Sequence, residues 1–181
     1  MRSYENQKYE YNIKVNSDVE TLKKVLLKCH YQNVACYYQL IIYMIPDSID
    51  ILSIENLLTL DSYVMIQDLN GDNKHMIYKE KGSTSYASID NISATKDLLN
   101  KLNYNELMYL NFDVYCFEQE EKKIVIKNIK EQGIYMSFDN KEAIEILEQN
   151  HISYDHTNMH IDNEKIALEN MKKELKNKAN R

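Results

Sequence analysis

Residues 10–14, EYNIK, place an acid, an amide and a base at alternate positions, so Glu10, Asn12 and Lys14 share one side of an extended chain. Each type can do chemistry: a carboxylate takes a metal ion or a proton, a carboxamide donates and accepts, and an ammonium holds an oxyanion. The alternation recurs at Lys79 and Lys81, at Asn111 and Asp113, at Val125 and Lys127, and at Tyr135, Ser137 and Asp139. On an ordinary two-layer sheet these side chains are simply wet. In a sheet that closes into a barrel they converge on one polar cavity.

Periodicity supplies the elements that must position them. Tyr9, Tyr11, Ile13 and Val15 alternate with the polar residues and predict a strand over 9–15. Ser17 and Glu20 make a capping-box pair, and Val19, Leu22, Val25, Leu26 and Cys29 then repeat at helical spacing. An apolar strand runs through Tyr37–Ile45 to Pro46, and the connection 47–61 has room for a short helix. The strands SYVMIQDL and KHMIYKEK flank Asn70-Gly71, whose tolerance of positive φ marks a hairpin. Ser93 is expected to cap a second helix with Leu98, Leu99 and Leu102 inward, before strands in MYLNFDVYCF, KKIVIKNI and GIYMSFD. Asn140 and Asp162 are expected to cap the last helices, the final one charged and running from about residue 162 to about Lys178. Hairpin-joined strands covered by helices give an α+β class built on an antiparallel sheet or barrel.

With 181 residues, 44% of them apolar, the chain can bury one core, and a single domain over 1–181 is expected. A net charge of −6 argues against general nucleic-acid binding, which needs a basic surface, yet leaves room for a local basic pocket. The opening residues lack the apolar stretch of a signal peptide, and the most apolar run, 37–45, is too short to span a membrane. A cytoplasmic protein with no membrane partner is therefore expected. Cys29, Cys36 and Cys116 lack metal-type spacing and read as small apolar residues in a reducing compartment.

The order of these motifs resembles the CYTH superfamily, which includes class IV adenylate cyclases, thiamine triphosphatases and RNA triphosphatases, from about Tyr9 to Asn140. EYNIK stands where that family has E-x-E-x-K. MIYKEKGSTSY, residues 76–86, is similar to the L-I-Y-Y-E-R strand and T-S-D-Y stretch of the cyclase branch. IVIKNIKEQGIYMSFD, residues 124–139, is similar to I-x-L-D-x-V-x-x-L-G-x-F-x-E-x-E, and NFDVYCF echoes K-x-R-x-x-Y in outline. The resemblance implies a tunnel of antiparallel strands flanked by helices, in which basic residues grip a triphosphate and acids hold divalent metal. Glu10, Asn12 and Lys14 would line the interior, while Tyr9, Tyr11, Ile13 and Val15 would pack beneath helices.

Departures from the pattern redirect the expected function. Asn12, Lys127 and Ser137 stand where the family has acids, and Met65, Gln67, Asn111 and Asp113 where it has bases. Glu10 and Asp139 keep matching carboxylates; Lys14, Lys79, Lys81 and Lys127 nearly balance Glu10, Asp113 and Asp139. Magnesium needs carboxylates and a triphosphate needs several fixed cations. Each lost charge-stabilising contact costs roughly 2.7–4 kcal/mol in the transition state, so ordinary triphosphatase or cyclase activity is not expected. The expectation is a non-catalytic binder without metal or cofactor, holding a nucleotide or other phosphate-containing small molecule. Its ligand site would use Glu10, Asn12, Lys14, Gln67, Lys79, Lys81, Asn111, Lys127, Tyr135 and Asp139. Tyr135, Tyr78 or Tyr115 would stack on a base, and sequestration of a nucleotide signal is one biological form.

Other readings stay open. A shifted metal set of Glu10, Asp139 and Glu118 or Glu120 would restore a triphosphatase or cyclase, and Glu10 or Asp139 as a base would allow metal-independent nucleotide chemistry. A protein-interaction module would use an outer surface such as Glu118 to Glu121, a run that otherwise reads as a hairpin turn. Asp68, Asn70 and Asp72 do not make a calcium loop, because Gly71 is misplaced and Lys79 falls where the bidentate Glu belongs. His151, His156 and His160 lie in a turn-rich connection, and His75 stands alone. Glycines only at 71, 82 and 133 exclude phosphate-binding glycine loops.

Overall fold

The computed structural model describes residues 8–181. Its strands are β1 (Tyr11–Lys14), β2 (Gln32–Pro46), β3 (Ser62–Leu69), β4 (Asn73–Glu80), β5 (Ser83–Ser88), β6 (Tyr104–Gln119), β7 (Lys122–Ile129) and β8 (Gly133–Phe138). Its helices are α1 (Val19–Lys28), α2 (Ile92–Lys101), α3 (Glu142–Gln149) and α4 (Asn163–Ala179). The strands form an eight-stranded antiparallel sheet in the order β1-β8-β7-β6-β2-β3-β4-β5, which hydrogen bonds do not close. The fold is α+β. Two compact units are distinguished: the described residues up to Tyr37 with Phe112–Asn163, and Tyr38–Asn111 with Glu164–Arg181.

In the first unit, β1, β8 and β7 lie side by side in a register that pairs Ile13 with Met136 and Met136 with Ile126. These residues, with Tyr11, Val15, Ile124 and Phe138, meet Leu22 and Leu26 of α1 and Ile146 and Leu147 of α3 in one apolar cluster. Fully burying each aliphatic side chain stabilises by about 1.5–3 kcal/mol, so this row fixes which way β1 faces. The expected strand over 9–15 is shorter than its alternation suggested. Tyr9 packs beside Val114, Cys116 and Val125 rather than beneath the helices, because β1 pairing begins only at Tyr11. The cap of α1 is Asp18, whose carboxylate accepts from Thr21 N at 2.7 Å, so the expected Ser17–Glu20 box is displaced by one residue. Asn140 does accept from Glu142 N, at 2.9 Å, at the start of α3.

In the second unit, Ile42, Met44, Val64 and Ile66 pack on Leu99 of α2. Leu98 and Leu102 are exposed, against expectation: the core takes the face shared by Ile92 and Leu99, two turns apart, and the other leucines lie off it. Asn91, not Ser93, caps α2, accepting from Ala94 N at 2.9 Å. The β3–β4 hairpin turns through Asn70 and Gly71, at φ 58° and 79°. Strand β5 was not legible in advance: every residue of STSYAS is exposed, so it lacks the apolar alternation that betrays a strand. The connection 47–61 holds two short 3₁₀ turns, Ile51–Ser53 and Leu57–Thr59. Cys116 is buried as expected of a small apolar residue, whereas Cys36 is exposed. No helix among the described residues is long and apolar enough to cross a membrane.

Candidate functional site

On the face of β1, β8 and β7 opposite α1 and α3, the register sets Asn12 beside Ser137 and Ser137 beside Val125. The next row is Lys14, Tyr135 and Lys127. Asn12, Ser137 and Asn163 are almost fully buried, at 6%, 1% and 7% exposure. They are also bonded to one another. Ser137 Oγ donates to Asn12 Oδ1 at 2.8 Å, and Asn12 Nδ2 donates to Ile161 O at 3.0 Å and to Asn163 Oδ1 at 3.1 Å. Lys127 Nζ donates to the same Asn163 Oδ1 at 3.1 Å, and Asn163 Nδ2 donates to Gln132 Oε1 at 3.4 Å. A buried polar group left unpaired costs about 1–3 kcal/mol. Mutual pairing removes that cost, and neutral side chains avoid the repulsion that carboxylates at positions 12 and 137 would bring.

The segment before α4 positions Asn163. Val15 bridges to Tyr154, Asp155 N donates to Lys14 O at 2.9 Å, and Asn12 N donates to Met159 O at 2.7 Å. His160 Nδ1 is 2.9 Å from Glu10 O, and its ring lies 5.0 Å from that of Tyr11. The histidine-bearing connection thus runs along the edge of β1 and supplies the hydrogen-bond partners that an edge strand lacks.

Lys127 is half-buried, and loss of hydration lowers its pKa to about 8, against a smaller opposing pull from Asp162. Burial, then Asp155, raises the pKa of Tyr135. The polar network adjoins an apolar patch, because Val125, the sheet neighbour of Ser137, clusters with Val114 and Cys116 and with the half-buried rings of Tyr9, Tyr37 and Phe112.

The remaining candidates are placed differently. Glu10, Lys14 and Asp139 are exposed, and Asp139 Oδ1 accepts from Glu10 N at 2.8 Å. Lys14 lies over Gly133, where an added Cβ would come within 3.0 Å of its Cε and where φ is +114°. In the second unit, Gln67 and Asn111 are half-buried, and Lys79 Nζ is 6.0 Å from the ring centre of Tyr63. Lys81 does not continue the face of Lys79. It sits in the turn beyond β4, exposed and 3.0 Å from Asp61 Oδ1. The structure therefore brings Asn12, Tyr135 and Lys127 together and joins them to Asn163 and Gln132, which sequence reasoning missed. Asn163 offers no spacing signal: after Asp162 it reads as one more residue at a helix start. Glu118 lies near the end of β6 and Glu120 in the β6–β7 turn, and among the described residues no group of His, Cys, Asp or Glu side chains is placed to hold a metal ion.

No family model matches the chain, and no curated protein is similar to it in sequence. Among solved structures it is similar to PH1819 from Pyrococcus horikoshii OT3, at 16% identity and a TM-score of 0.54, over 91% of this chain and 98% of that one. It is also similar to the inorganic triphosphatase NE1496, at 10% identity and TM-score 0.46, over 76% and 80% of the two chains. A further similarity is to HpAC1 from Hippeastrum, described as having a dominant triphosphatase activity, at 12% identity and TM-score 0.48, over 82% and 90%. The likeness to PH1819 shows the fold alone: the chain shares that protein's α+β architecture.

Proposed function

We propose that the protein binds a nucleotide or related phosphate compound of low charge without transforming it, through the polar face of the first unit. One observation carries this reading: Lys127 is a half-buried ammonium whose hydrogen bond goes to the neutral carboxamide of Asn163. A phosphate oxygen is a better partner for that ammonium than an amide oxygen, because its net negative charge adds a Coulombic attraction that a neutral carboxamide lacks. Asn12 adds a carboxamide donor. The half-buried rings of Tyr37 and Phe112, packed on buried Val114 and Val125, offer apolar surface to a base. One ammonium, bonded to a neutral carboxamide and partly offset by Asp162, suits a phosphate of low charge better than a triphosphate, and exposed Glu10 and Asp139 leave the hydrogen-bonded network free of carboxylate ligands. Sequestration of a nucleotide signal is the biological form that binding without turnover would take.

The test is a thermal-shift panel of AMP, cyclic AMP, ADP, ATP, NAD and pyrophosphate in EDTA. A ligand at a hundredfold excess over its Kd stabilises by about 2.7 kcal/mol, a Tm rise of roughly 5–10 °C. At least one member is expected to give such a rise, and Lys127→Met to lose it. No shift across the panel would contradict the reading. So would phosphate or pyrophosphate release from ATP with Mg²⁺ or Mn²⁺ that Glu10→Gln abolishes, because that result restores a metal-dependent enzyme.

A further inference from the structure

Asn163 occupies an unusual place among these side chains. Its Oδ1 accepts at once from Lys127 Nζ and from Asn12 Nδ2, both at 3.1 Å. Those are the donors that the proposed function assigns to a ligand oxygen. Among the described residues the Asn163 amide donates a long bond of 3.4 Å to Gln132, a half-buried residue of the β7–β8 turn. The backbone beneath it is fixed independently, since Ile161 O accepts from Asn12 Nδ2 at 3.0 Å and Met159 O accepts from Asn12 N at 2.7 Å. A change of side-chain rotamer at Asn163 therefore uncovers both donors while the segment stays docked on β1.

Resting on that reading, we propose that the Asn163 carboxamide is an internal stand-in for a ligand oxygen, a gate residue that an incoming phosphate must displace from Lys127 and Asn12. The exchange needs no charged group to leave. It replaces a neutral acceptor with an anionic one at the same two donors, and it makes Asn163 a determinant of affinity and of ligand charge. An anionic phosphate oxygen gains more from displacing the carboxamide than a neutral sugar hydroxyl does, so the gate filters against uncharged nucleosides. The lowered pKa of Lys127 adds a second signature, because an anion beside the ammonium draws a proton onto it.

The experiment is calorimetric titration of AMP and of pyrophosphate into the wild type, Asn163→Ala, Asn163→Asp and Gln132→Ala in metal-free buffer, repeated from pH 7 to 9. Removing the competing acceptor in Asn163→Ala is expected to tighten binding about tenfold, and Asn163→Asp, whose carboxylate pairs with Lys127, to weaken it about tenfold or more. Gln132→Ala, at a turn and without contact to Lys127, is expected to tighten binding by a smaller factor. It serves as the folded control should Asn163→Ala fail to fold. Proton uptake on binding, read from buffers of different ionisation enthalpy, is expected in the wild type near pH 8.5 and is expected to fall in Asn163→Asp. Wild-type binding that Asn163→Ala leaves equal or weakens, or that Asn163→Asp leaves unchanged, overturns the gate and leaves the binding reading standing. Absence of binding in the wild type and every variant overturns both.

Discussion

Two polar surfaces of this molecule handle buried polarity in opposite ways. In the first unit Asn12, Ser137, Asn163 and Lys127 are interlocked, and each buried side chain finds a partner. In the second unit Asp68 is equally buried on β3, at 7% exposure, yet its Oδ1 has no hydrogen-bond partner among the described residues. The charged candidates there turn to water: Lys81 and Asp61 form a pair whose side chains are 74% and 90% exposed. In the proposed function the first network, with its ammonium bonded to a neutral carboxamide, is the anion site. A buried carboxylate oxygen without a partner, on the face of β3 that carries Val64 and Ile66, is not organised in that way.

The sharpest way to break the comparison is one chemical edit made in both places. Asn12→Val removes the acceptor of Ser137 Oγ and the donor to Ile161 O and Asn163, and is expected to lower unfolding free energy in urea by about 1–3 kcal/mol. Asp68→Val, in a strand whose same-face neighbours are Val64 and Ile66, is expected to raise it by about 1 kcal/mol, because an unpaired buried oxygen is replaced by apolar surface. Equal losses at both sites would erase the distinction.

Lys127 sharpens it through pH. Its folded pKa of about 8 lies below the ordinary value of 10.5, so between these pH values the unfolded chain holds more of this proton and the lysine's contribution to stability rises with pH. Below pH 8 both states are charged and folding bears the full desolvation cost; above 10.5 both are neutral and the contribution levels off. The difference in unfolding free energy between wild type and Lys127→Met is therefore expected to move in favour of the wild type across that window. Parallel curves would refute burial of the ammonium. The smallest effect is expected at Lys81→Ala, below about 1 kcal/mol, as for other exposed ion pairs.

Much of the sheet was legible because apolar alternation and turn residues are local signals. Tyr11, Ile13 and Val15 announced their buried row, and Asn70-Gly71 announced its hairpin. Helix starts were displaced by one or two residues, since Asp18 competes with Ser17 and Asn91 with Ser93 for the same backbone donors. Strand β5 was invisible because its pairing with β4 is carried by backbone alone, with Ser and Thr side chains in water. The polar site was half legible. Asn12, Tyr135 and Lys127 stand on strand faces that alternation reveals, whereas Asn163 reaches them from a segment distant in sequence, and only the docking of residues 153–163 on β1 shows that it belongs there.

The most direct measurement follows the lysine Nζ resonances by NMR across pH 6–11, with and without AMP in metal-free buffer. Lys127 is expected to titrate near pH 8 alone and well above that with ligand. A Lys127 signal that AMP does not move, with Lys79 or Lys81 shifting instead, would contradict an anion site built around Lys127.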